Sequence, residues 1–192
     1  MEIGKQQNDG AGCANAPSRA AGAPANVVPL RDFAVALYAE PDVQRSCLEA
    51  QDAHGADVNL LLWAAWRAMR GLTLSAQQVS RADALCEEWR SGVVHPLREQ
   101  RRRWADDERR AKQYEAIKAL ELQAEFTQLT MLADVGDGAP RPSEPPGTDA
   151  IIAANVTRLC RHWGLPDDAL AFVVVAMAPL VASIAPGIAP RR

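Results

Sequence analysis

Apolar side chains recur at helical spacing along most of the chain. Leu30, Phe33, Ala34, Leu37 and Tyr38 stand at i, i+3, i+4, i+7 and i+8, one stripe of an amphipathic helix that starts near Pro29. Pro41 suits the first turn of a second helix, with Val43, Cys47 and Leu48 pointing inward. His54-Gly55 marks its end, because glycine accepts the left-handed conformation that follows a last turn. Asp57 then predicts an N-cap, and the helix behind it runs to about Arg70 and is closed by Gly71. Leu60, Leu61, Leu62, Trp63 and Trp66 make that helix apolar on nearly every face, which places it at the centre of a fold.

Ser75 followed by Gln78 reads as a capping box opening a fourth helix, with Val79, Ala82, Cys86, Trp89, Val93 and Leu97 as its stripe. Pro96 falls inside that run and should kink or break it. From Arg98 to about Leu132 the pattern stays helical but turns strongly charged, with Tyr114, Ile117, Leu120, Leu122, Phe126 and Leu129 as its apolar positions. Gly136 to Gly147 carries Pro140, Pro142, Pro145 and Pro146 and reads as a loop or linker. Two further helices are expected, Asp149 to His162 and Pro166 to about Ile184. No alternation of strand type and no internal repeat appears. The predicted fold is all-α: an irregular bundle of about six to seven helices around a central apolar helix. It spans residues 29–185, with a sub-division at the 136–147 loop left open. Residues 1–28, rich in Ala, Gly, Asn and Pro, are expected to form a disordered tail, and residues 186–192 a frayed one.

Composition narrows the classes of function. The 192 residues are 48% hydrophobic with a formal net charge of −3, so the chain as a whole has no attraction for nucleic acid or an anionic membrane. The first residues hold no apolar run of export type. The longest apolar stretch, Ala169 to Ile184, is interrupted by Pro179 and falls short of the ~20 residues a bilayer requires. A cytoplasmic location is the expectation. Cys13, Cys47, Cys86 and Cys160 lie more than thirty residues apart and show no Cys-x-x-Cys spacing. Three of them sit in apolar helical patterns, where a free thiol packs as a small hydrophobe.

The most individual stretch is His54-Gly55-Ala56-Asp57-Val58-Asn59-Leu60-Leu61-Leu62-Trp63. One reading gathers His54, Asp57 and Asn59 at a helix N-terminus as a small-ligand or enzyme site. The plainer reading has Gly55 ending one helix, Asp57 capping the next and Asn59 bonding locally, and capping preference alone accounts for these residue types. Together with Phe33-Ala-Val-Ala-Leu37-Tyr38, Trp89-Arg90, Val94-His95-Pro96-Leu97-Arg98 and Ile117-Lys118-Ala119-Leu120-Glu121-Leu122, this stretch resembles a proteobacterial family of helical proteins of unknown function. The likeness covers residues 30–184, with the N-terminal segment and the Pro-rich loop as departures. It implies a fold and a bacterial source, and no activity.

Arg98, Arg101, Arg102, Arg103, Arg109, Arg110 and Lys112 form a basic cluster suited to phosphate contact in a nucleic-acid-associated protein. Glu99, Asp106, Asp107 and Glu108 are interleaved with it, and at i+3 and i+4 they would pair with the arginines on a solvated face. That alternation argues against nucleic acid. No phosphate loop, Gly-x-Ser-x-Gly or His-Glu-x-x-His is present, and His162 stands two residues from Cys160 on a different helical face. Neither cofactor nor metal is implied. The favoured role is therefore non-catalytic: binding of a protein partner, or self-association, through helical surfaces. The C-terminal helix is the first candidate, because Phe172, Val173, Val174, Val175, Met177, Leu180, Val181 and Ile184 cover more than one helical face.

Overall fold

The computed structural model describes residues 28–136 and 146–184. The expected N-terminal tail up to residue 27, most of the Pro-rich loop, the end beyond Ile184 and Cys13 lie outside these residues. The described residues form α1 (Leu30–Tyr38), α2 (Pro41–His54), α3 (Val58–Met69), α4 (Ala76–Trp89), α5 (His95–Trp104), α6 (Ala111–Ala133), α7 (Thr148–His162) and α8 (Ala171–Ile184). A π turn spans Arg90–Val94 and a 3-10 turn Glu108–Arg110, and the described residues hold no strand. The chain is all-α, as its periodicity predicts.

Helix α3 is the axis of the molecule. Every residue from Asn59 to Met69 is buried, and α1, α2, α6, α7 and α8 all pack on it. Its start is set by Asp57, whose Oδ1 accepts from the amides of Asn59 (2.8 Å) and Leu60 (3.2 Å). Gly55 at φ 67° and Gly71 at φ 70° end α2 and α3 in the left-handed region that a Cβ disfavours. The surrounding helices each bury one stripe: Leu30, Phe33, Ala34 and Leu37 on α1, Val43, Cys47 and Ala50 on α2, Val79, Ala82 and Cys86 on α4. Val28 rests on the core, and its carbonyl accepts from Trp66 Nε1 at 2.8 Å. Ser75 and Gln78 form the reciprocal capping box at the start of α4.

Four sequence expectations are corrected. Leu48 points to solvent, because Ala50 rather than Leu48 completes the α2 stripe. The charged segment after Arg98 is two helices. Pro96 lies in the first turn of α5, after a π turn whose extra residue rotates the chain so that Val94 is buried and Val93 is only half-buried. The chain turns again at 105–107, where Asp107 caps the 3-10 turn by accepting from the Arg109 amide at 3.1 Å. Helix α6 then runs back along α5. On α6 the buried positions are Glu121, Ala124, Gln128, Leu129 and Leu132, whereas Leu120 and Leu122 are exposed. The last helix begins at Ala171 rather than Pro166, after turns in which Asp167 is engaged by Arg161.

α7 packs on α3 and buries Ile151, Ile152, Val156, Leu159 and Cys160. Asn155 is buried among them and fully bonded. Its Oδ1 accepts from Leu74 N (2.8 Å), and its Nδ2 donates to the carbonyls of Ala64 (3.0 Å) and Leu72 (3.1 Å). One amide side chain thus ties α7 to α3 and to the α3–α4 connection. No helix among the described residues is long and apolar enough to cross a membrane.

Candidate functional site

The polar groups of the His54–Asn59 stretch separate in space according to their bonding. Asp57, having capped α3 with Oδ1, uses Oδ2 to accept from Arg90 Nη1 (2.7 Å) and Gln128 Nε2 (2.6 Å). Asn59 donates to Gln128 Oε1 at 3.0 Å and to the Glu125 carbonyl at 3.4 Å. Arg90 reaches on to Asp83 Oδ1 (2.8 Å) and to Glu87, and Asp83 Oδ2 meets His162 Nε2 at 2.8 Å. One chain of contacts therefore joins α3, α4, the π turn, α6 and α7. His54 is exposed at the end of α2, away from this set. Asp57 and Asn59 are brought together; His54 is not brought to them.

Electrostatics support a closed arrangement. Burial disfavours the charged form of Arg90, but hydrogen bonds to Asp57 and Glu87 outweigh it and raise its pKa. Burial also opposes ionisation of Asp83, and the bonds from His162 and Arg90 reverse this, holding it below the usual carboxylate range. With both oxygens of Asp57 engaged by four donors, no lone pair is left that a ligand could claim without displacing a protein group.

A second polar set holds the α5–α6 hairpin to the body. Arg98 donates to Glu121 (3.1 Å), Glu125 (2.8 Å) and Gln51 (2.8 Å), and Arg101 pairs with Glu121. Glu121 is buried, which alone would raise its pKa, but Arg101 and Arg98 bring it down. Glu125 moves the other way, desolvation outweighing Arg98. Arg102 pairs with Asp52 at 3.3 Å on the surface of α2. Three further arginines of the cluster have local partners: Arg103 with Glu99, and Arg109 and Arg110 with Asp107. Pairing of near neighbours thus holds for Arg103, Arg109 and Arg110. Arg98, Arg101 and Arg102 use carboxylates twenty and more residues away, which sequence spacing does not disclose. Open depressions of about 590 and 450 Å³ lie at the hairpin tip, lined by charges of both signs such as Arg103, Asp106 and Glu108 and, in the second, by Trp104 and Tyr114.

Acid stability follows from these shifts. Asp83 and Glu121 have folded pKa values below their unfolded values of 3.8 and 4.5, so their contribution is complete above those values and is lost as pH falls through the folded ones. Glu125, shifted upward, opposes this near its unfolded value of 4.5. The urea midpoint should therefore hold nearly level from about pH 7 to 5 and drop below about pH 4. Asp83→Asn and Glu121→Gln should each flatten that drop. An unchanged acid limb in both variants would show that these carboxylates are solvated.

The three described cysteines are held as buried thiols. Burial pushes the thiols of Cys47 and Cys86 up to about 12 and raises that of Cys160. All three are free and buried. Among the described residues no three His, Cys, Asp or Glu side chains converge as a metal site.

On α8 the inward positions Val173, Met177 and Val181 are buried against α7, α2, α3 and α1. Phe172 is half-buried, and Val175 is 75% exposed. The sequence did not single out Arg90, Asp83, Gln128, Glu121, Glu125 and Asn155. For Asn155 a signal exists, a lone amide in the apolar run Ala150–Val156.

A family model described as a protein of unknown function (DUF2390) matches residues 29–132, which span α1 to the last turn of α6 and leave α7 and α8 beyond the match. No curated protein and no solved structure matches the chain.

Proposed function

Because this chain belongs to the DUF2390 family of proteins of unknown function, we propose its role from the chemistry of its surface: a non-catalytic protein that binds another protein through α8. The observation that carries this reading is the outer face of that helix. Its inward stripe is already buried, yet Val175 stands in solvent and no charged residue occurs between Ala169 and Ile184. An exposed apolar face beyond what the core uses is characteristic of an interaction surface. The polar groups that could act on a small ligand, Asp57 and Asn59, are consumed by internal bonds, which weighs against the enzyme or ligand-binding reading. The arginines after Leu97 are matched by carboxylates, which weighs against nucleic acid. We also read the His-Gly-x-Asp-Val-Asn-Leu-Leu-Leu stretch as a family signature, the source as proteobacterial and the location as cytoplasmic.

The test is affinity capture from the native host with wild-type and Val175→Asp baits, compared by mass spectrometry. A prey recovered by the first and lost by the second is the expected result. The same prey with both baits would remove α8 from the account.

A further inference from the structure

We propose that α5 and the first half of α6 form a charge-latched arm, which undocks and unfolds as one unit while the remaining bundle stays folded. This device is separate from the α8 face. None of the 26 residues 95–120 is buried, although Val94 before them and Glu121 after them are. By contrast, every residue from Asn59 to Met69 on α3 is buried. The half-buried apolar and aromatic side chains of the arm are Leu97, Trp104, Tyr114 and Ile117. Local opening is least costly where so little apolar surface is buried. The two halves also depend on each other. α5 has 10 residues, residues 111–120 of α6 are as many, and a helix so short is marginal in water by itself. Loss of one therefore takes the other with it.

Charge sets the closed position. Residues 95–120 carry eight Lys or Arg against five Asp or Glu, and the side chains they dock on are acidic or polar. Arg98 donates to Glu121, Glu125 and Gln51, Arg101 to Glu121, and Arg102 to Asp52. The side chains of Arg102 and Asp52 are 59% and 66% exposed, so salt screens that pair, whereas Glu121, at 7%, is the inner latch. Both ends of the arm are fixed to the body. Arg90, in the π turn, is tied to Asp57 and Asp83, and Trp89 Nε1 donates to the Ala124 carbonyl at 2.9 Å, just beyond Glu121. Opening therefore stops at Val94 and Glu121. It brings the carboxylates of Glu121 and Glu125 into water without disturbing α3. Rising ionic strength favours it, because salt weakens the attraction that closes the arm.

Native-state hydrogen exchange of the full chain, followed residue by residue, tests this. The amides of residues 99–104 and 115–120 should share one opening constant and exchange at least about a hundredfold faster than those of residues 62–69 in α3. Raising NaCl from about 0.05 to about 1 M should speed the arm at least about threefold and leave α3 unmoved. Arg98→Met removes three bonds of the latch and should speed the arm about tenfold, again with α3 unmoved. Arg102→Gln keeps every bond of Arg98 and serves if the first variant folds poorly, with an increase of about twofold expected. Arm amides that exchange together with α3 overturn the proposal. So does exchange graded from the tip with no shared constant, which is fraying, or indifference to salt and to both variants. An arm without protection at the lowest salt overturns it as well, since nothing is then latched.

Discussion

Arg90→Met should lower the unfolding free energy by about 3–5 kcal/mol, the range expected when one member of a buried ion pair is removed. Arg90 is only 14% exposed in its side chain and faces Asp57 at 9% and Asp83 at 23%. Methionine fills much of the volume but leaves two carboxylates in a partly desolvated space without their counter-charge. Adding Asp57→Asn should recover part of the loss, because an asparagine at this position still accepts from the Asn59 and Leu60 amides and no longer carries charge. The measurement is urea unfolding of the two single variants and the double variant. If Arg90→Met costs under about 1 kcal/mol, the pair is a surface bridge and the network holds nothing together.

Trp63→Ala should cost about as much, 3–5 kcal/mol, by emptying the largest fully buried side chain. Trp63→Phe is the informative companion. Among the described residues Trp63 Nε1 is buried without a hydrogen-bond partner, so phenylalanine removes an unsatisfied donor along with part of the ring. Its loss should be well under half that of alanine. Trp66 behaves differently, since its Nε1 donates to the Val28 carbonyl and its ring faces the Arg70 guanidinium at 4.5 Å. There phenylalanine would forfeit a bond that is made. A Trp63→Phe variant as unstable as Trp63→Ala would mean that the indole N–H has a partner after all.

The parts of this fold that could be read from sequence are those decided by near neighbours. Asp57 caps α3 with amides two and three residues ahead, Ser75 and Gln78 bond across three residues, and Gly55 ends α2 by its own φ. The all-apolar α3 had to be central because no face of it tolerates water. The features that sequence did not disclose depend on distant groups. The periodicity of residues 98–132 is the same whether the charged segment is one helix or a hairpin, and only the Asp107 cap and the Arg98–Glu121 contact decide it. Leu120 and Leu122 looked like core positions for the same reason. Alongside an antiparallel neighbour the inward position is Glu121, which meets two arginines. Likewise Asp57 was legible as a cap, but its second oxygen answers to Arg90 and Gln128, 33 and 71 residues away.

Hydrogen exchange separates a structural polar network from a ligand-accessible one most directly. The amides of Asn59, Leu60 and Leu74 donate to Asp57 and Asn155. If these side chains hold the helices together, the three amides open only with global unfolding, and their exchange free energies equal the stability measured by denaturant. Exchange of Asn59 and Leu60 several kcal/mol below the global value would contradict the account, because it would mean that Asp57 releases the end of α3 in the folded protein and stands available to something else.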